Sequence, residues 1–130
     1  MSDVSAVVAA YWARYRLGGG DRQARLRHEA GEFVWAWDLV EEAVHIGTAD
    51  VLTLLDSLLA SPKADPCYLG AGPVEELLVH NGPRFDGPVA ERCRRSELWR
   101  EALACVWLDD AEEQRLPAVK AFLPADRASE

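Results

Sequence analysis

The sequence predicts an all-α fold, a compact helical bundle or a short stack of helical hairpins with about six or seven helices. Three observations predict it. Apolar residues recur at spacings of three and four rather than alternating, tight Gly, Pro and Ser breaks punctuate the periodic runs, and no segment shows a strand pattern. At 130 residues, 49% of them apolar and including five tryptophans, the chain has enough material for one core. No linker interrupts it, so a single domain is expected over residues 1–130.

The first helix is expected from about Asp3 to Leu17, with Val4, Val7, Val8, Tyr11 and Tyr15 on one stripe and Gly18-Gly19-Gly20 as its stop. A basic segment, "DRQARLRHEA", leads to Gly31. The second major helix spans about Glu32 to Ile46. On a helical wheel Phe33, Trp37, Val40 and Val44 form one apolar line, while Trp35, Leu39 and Ile46 form another. Two apolar lines predict a helix wedged between neighbours. The remaining arc carries Asp38, Glu41, Glu42 and His45, an acidic ridge.

Gly47 ends that helix, and Thr48 is a candidate N-cap for the next, whose Val51, Leu52, Leu54, Leu55, Leu58 and Leu59 face a core until Ser61-Pro62. A loop, "SPKADPCYLGAG", precedes helices at about Pro73–His80, Asp86–Arg95 and Ser96–Leu108. A short helix over Pro117–Leu123 and a frayed tail over about 124–130 complete the expectation.

Charge bounds the partners. The net charge is −8, with twelve arginines and two lysines, which argues against sequence-independent attraction to nucleic acid or to anionic lipid. Residues 31–60 carry six acids and no Lys or Arg, whereas residues 1–30 hold five arginines against three acids. The arginines Arg14, Arg16, Arg22, Arg25 and Arg27, interleaved with Tyr11, Trp12 and Tyr15, are the one nucleic-acid candidate, and they are read as solvated or internally paired. The N-terminus has an acid where a signal peptide carries positive charge, and no apolar run approaches the ~20 residues that cross a bilayer. Cys67, Cys93 and Cys105 show no C-x-x-C spacing and are odd in number, so buried thiols in a cytoplasmic protein are expected.

The Gly70-Ala71-Gly72-Pro73 stretch reads as a helix start, with Pro73 at the first position and Glu75 and Glu76 in the first turn. A phosphate cradle would want a lysine and a hydroxyl after the glycines, and this sequence has two acids instead. The same stretch, "LGAGPVEELLVHNGPRF", taken with "VWAWDLVEEAV" and "CRRSELWREALACVW", resembles a family of small bacterial proteins carrying a domain of unknown function. Its members share a Gly-x-Gly-Pro-hydrophobic-acid-acid/x-Leu-Leu core. The resemblance covers about Phe33 to Trp107, implies an all-α bacterial protein, and brings no activity, cofactor or catalytic residues with it.

Chemistry-bearing constellations are few. Glu42 and His45 form an E-x-x-H, and Glu76 and His80 stand four apart, so the four are candidate metal ligands across a helix pair, with Glu41 or Glu75 as spares. No serine sits in a G-x-S-x-G elbow, and Cys67 is read as a packed thiol rather than a nucleophile. The sequence therefore points first to a non-enzymatic protein-binding module of the inhibitor or adaptor type. It would dock a basic partner through Asp38, Glu41 and Glu42, with Trp35 or Tyr68 as an aromatic anchor. The alternatives are a metal-binding protein or small enzyme built on the Glu/His pairs, and a subunit of a homo-oligomer. No cofactor is implied.

Overall fold

The computed structural model describes residues 4–124, and they form an all-α structure. The expected frayed tail falls largely on 125–130, outside the described residues. In chain order the helices are α1 (Val4–Gly18), α2 (Arg22–Glu29), α3 (Val34–Ile46), α4 (Val51–Ala60) and α5 (Pro66–Leu69). A π-helical turn (Gly70–Val74) runs from α5 directly into α6 (Glu75–Asn81), and a 3₁₀ turn (Gly82–Phe85) leads to α7 (Asp86–Arg95). The chain then forms α8 (Glu97–Leu103), α9 (Asp110–Gln114) and α10 (Pro117–Lys120).

One continuous cluster of buried side chains joins α1, α3, α4, α6, α7, α8 and α10. Trp12 is buried in it, and its indole N–H donates to the Leu58 carbonyl at 3.0 Å, which satisfies the ring's polar atom and ties α1 to α4. The basic segment is a helix, α2, begun by Asp21, whose carboxylate accepts from the Ala24 amide. It buries no residue. Arg14 holds it in place by donating to the carbonyls of His28 and Glu32.

Of the segment expected to be a loop before Pro73, residues 61–65 are non-helical as expected, but the chain is helical from Pro66 on, and Pro73 lies inside the π turn rather than opening a helix. A proline has no amide hydrogen for an α-type bond, and a wider turn absorbs that loss without ending the helix. Gly70 is needed there for a different reason. A Cβ at this position would stand 1.8 Å from the Ala102 carbonyl oxygen, so only glycine lets α8 pack against the turn. Glu75 then accepts the Trp107 amide at 2.6 Å and fixes the irregular segment after α8, which ends at Leu103 rather than Leu108.

Cys67 and Cys105 are joined by a disulfide that links α5 to that same segment. The expectation of three buried thiols is thereby corrected to one, Cys93. The odd count hid the pair: one cysteine is left over, and the other two are distant in sequence but meet where α8 closes on α5. Cys67 is also removed as a candidate nucleophile. Asp86 anchors the C-terminal part, accepting from the amides of Ala118 and Val119 at 2.9 Å each and so starting α10.

Candidate functional site

Helix α3 organises the features that could act on a partner or a ligand. Its buried face is Ala36, Val40, Ala43 and Val44, so the expected line is buried at Val40 and Val44 but not at Phe33 and Trp37. The two alanines let neighbouring helices approach closely, and the larger Phe33 and Trp37 are displaced to the flank. The second expected apolar line is buried only in part, at Leu39. Trp35 is 50% exposed and Ile46 59% exposed, with Leu39 between them half-buried. α3 does lie between neighbours, chiefly α1 and α6, but it meets them through its first line and the alanines, and it turns Trp35, Asp38, Glu42 and Ile46 outward.

Along this outward face a groove of about 350 Å³ runs between α1, α3 and α4, lined in part by Val4, Leu39, Glu42 and Ile46. Tyr68, the second expected anchor, belongs elsewhere. Its ring lies 4.4 Å from that of Tyr15 and 6.3 Å from those of Tyr11 and Trp12. Together with Arg14, His28 and Trp37, the three tyrosines line a separate hollow of about 260 Å³. The Tyr11 hydroxyl is buried there without a hydrogen-bond partner among the described residues, and burial first, then the nearby Tyr68, pushes its pKa well up. Since Tyr11 and Trp12 are buried, the interleaved aromatics of the basic segment form no stacking platform. Arg25 donates to the Gly20 carbonyl and Arg27 pairs with Glu32.

The ridge expected on α3 is divided by its neighbours. Asp38 and Glu42 face solvent, whereas Glu41 is partly buried and His45 leans toward α6. Nε2 of His45 and Nε2 of His80 each lie 3.0 Å from the same oxygen of Glu76, Oε2. The two imidazole rings are 4.4 Å apart. Glu41 adds a carboxylate oxygen 3.7 Å from His45 Nε2. Of the four expected ligands, His45, Glu76 and His80 converge and Glu42 does not. Glu42 points to the groove on the other side of α3, and Glu41, expected as a spare ligand, takes the nearer place.

The seam between α3 and α6 is set by residues that the pattern alone could not single out. Gly47 ends α3 in a left-handed conformation, φ 70°, that L side chains rarely adopt. A Cβ there would meet the Asn81 side chain at 2.3 Å. Asn81 occupies that space to donate to the carbonyls of Val44 and Leu77, one on each helix. Arg84 adds a bond to the Gly47 carbonyl at 2.7 Å. These contacts align the last turn of α3 with α6, and that alignment brings His45 opposite Glu76.

The electrostatics follow from the contacts. The His45 hydrogen bond holds the Glu76 carboxyl below the usual carboxylate range; burial opposes it, and the His80 hydrogen bond adds to the lowering. Partial burial, with the Glu76 charge next, raises Glu41. No helix of the described residues is long and apolar enough to cross a membrane. No family model, curated protein or solved structure matches the chain, so the resemblance noted on the Gly-x-Gly-Pro stretch adds nothing further and the functional reading rests on these residues.

Proposed function

We propose that the protein is a non-catalytic binding module that docks a basic protein partner through the outward face of α3. The observation that carries this reading is the half-exposed Trp35, in line with Leu39 and the exposed Ile46 and flanked by Asp38 and Glu42 on one rigid helix. A tryptophan on such a face can fill a pocket in a partner while the carboxylates around it select positive charge and speed encounter. Trp107 is also exposed, but it stands on an irregular segment rather than in line with other apolar residues of a helix. A net charge of −8 opposes self-association through this face, which favours a partner of opposite charge over a second copy. An inhibitor or an adaptor would use such a face in the same way.

The test is capture of the partner by the tagged protein from its own cells, followed by titration of the purified partner against wild type, Trp35→Ala and Asp38→Lys/Glu42→Lys. The expected loss for Trp35→Ala is about 2 kcal/mol or more, a thirtyfold or greater rise in Kd. The charge-reversed chain should lose most of its affinity, and wild-type binding should weaken as salt rises. Unchanged Kd in both variants would remove the reading. A concentration-dependent dimer in sedimentation with no captured partner would favour the homo-oligomer instead.

The cytoplasmic placement expected from the N-terminal sequence stands on that sequence alone. The Cys67–Cys105 disulfide points the other way, toward a compartment or redox state in which disulfides persist. Acid-quenched thiol counting on protein taken directly from its cells separates the two: one free thiol supports the disulfide in the cell, three support a reduced cytoplasmic chain.

A further inference from the structure

We infer that His45, Glu76 and His80, with Glu41 beside them, form a binding site for a divalent transition cation of the zinc class that pins α3 to α6. This goes beyond the docking reading and does not depend on it. One ligand atom from each of His45, Glu76 and His80 can be chosen so that all three lie within 4.8 Å of one another. A tetrahedral zinc ion with nitrogen and oxygen ligands at about 2.0–2.2 Å sets its ligand atoms roughly 3.3 Å apart. The observed His45–Glu76 and His80–Glu76 spacings of 3.0 Å need to open by only a few tenths of an ångström.

The donor set chooses the ion. Two imidazoles and one or two carboxylates suit zinc and its neighbours in the transition series, whereas calcium and magnesium require shells made largely of oxygen. The charge is also right for a cation. Among the described residues, Glu91 pairs with Arg94 and Arg95, Glu32 with Arg27 and Asp56 with Arg92, but Glu41 and Glu76 pair with histidines only. Two carboxylates thus face each other across the seam with no permanent positive charge between them. A bound cation would supply it, displacing whatever protons the Nε2 atoms carry.

His45 comes from the last turn of α3, while Glu76 and His80 stand i and i+4 on α6. Neither helix holds the site alone. The contacts of Gly47 and Asn81 place the ligands before any ion arrives, which lowers the ordering cost of binding.

The experiment titrates zinc chloride into chelator-treated, oxidised protein by calorimetry, without reductant so that the thiols of Cys67 and Cys105 are not exposed as competing ligands. The expected result is one equivalent bound, with visible bands of tetrahedral symmetry when cobalt(II) replaces zinc. His45→Ala and His80→Ala should each weaken binding at least about tenfold, and Glu42→Gln should leave it unchanged. Because these histidines are half-exposed, the variants should keep the wild-type circular dichroism spectrum, which is recorded alongside. No binding by wild type at 100-fold excess zinc, or equal binding by the His45→Ala/His80→Ala double variant, would overturn the site. Equal affinity for calcium would overturn the assignment of the ion class.

Discussion

Asp56 and Glu76 each accept hydrogen bonds from two side chains, and each ties neighbouring helices together. Asp56, on α4, takes the Arg92 guanidinium of α7 through both its oxygens, at 2.9 and 3.0 Å, and the Trp99 indole N–H of α8 at 2.8 Å. Glu76, on α6, takes His45 from α3 and His80 from its own helix at 3.0 Å. The two carboxylates are about equally open to solvent, at 43% and 40%, so burial does not separate them. The partners do. Arginine and indole N–H groups donate only and arginine keeps its charge across the accessible pH range, so the Asp56 cluster is complete as it stands. Imidazole nitrogens titrate, switch between donor and acceptor, and bind metals, so the Glu76 cluster has another state available to it.

The comparison would be broken by finding the structural side dispensable. The largest effect is expected where α5 is joined to the segment after α8. Replacing both Cys67 and Cys105 by serine removes a crosslink across a sequence separation of 38, which should cost about 2 to 4 kcal/mol in urea denaturation. Next comes Asp56→Ala. It leaves the buried Trp99 ring without its acceptor and Arg92 without its partner, and should cost about 1 to 2 kcal/mol. By contrast, Glu76→Gln in metal-free protein should change stability by less than about 0.5 kcal/mol, because half-exposed pairs of this kind contribute little. A Glu76→Gln penalty as large as that of Asp56→Ala would mean both clusters are simply structural.

Two smaller effects sharpen the picture. Asp38→Lys/Glu42→Lys should shift stability by no more than about 0.5 kcal/mol, since both side chains face solvent, while abolishing partner binding. Cys93 is buried, and burial pushes its thiol pKa up to about 11. Native oxidised protein should therefore take up no iodoacetamide at pH ~8, and one equivalent once denatured without reductant. Mass spectrometry reads both states. Alkylation of the native protein at Cys93 would show that the core around α7 opens more readily than its packing implies.

The parts of this fold that were legible are the ones marked by local chemistry. Gly18–Gly20, Gly47 and Ser61-Pro62 interrupt the helical periodicity visibly, and α1, α3 and α4 fall close to where those breaks place them. The face that α3 buries was legible only at Val40 and Val44. Side-chain size favoured a face containing Phe33 and Trp37, but close helix packing chose Ala36 and Ala43, a choice that depends on neighbours distant in sequence. The π turn was missed because Pro73 looks like a helix start. The Cys67–Cys105 pair was missed because nothing in the spacing announces it.

The candidate site divides in the same way. His45, Glu76 and His80 could be named from their i, i+3 and i, i+4 spacings. Whether they meet depends on the register of α3 against α6, and Asn81 filling the space left by Gly47 sets that register. For the same reason Glu41 rather than Glu42 lies beside His45. One residue's step around the helix sends Glu42 to the outward face with Trp35.

The central claim, that α3 docks a partner through its outward face, is tested most directly by placing a photo-crosslinking amino acid at position 35 and, separately, at position 107, then irradiating the protein in its own cells. Both positions carry exposed tryptophans, so access to solvent does not distinguish them. The account predicts a single protein partner crosslinked from position 35, lost when Asp38→Lys/Glu42→Lys is introduced, and none from position 107. A partner captured from position 107 and not from position 35 would contradict it.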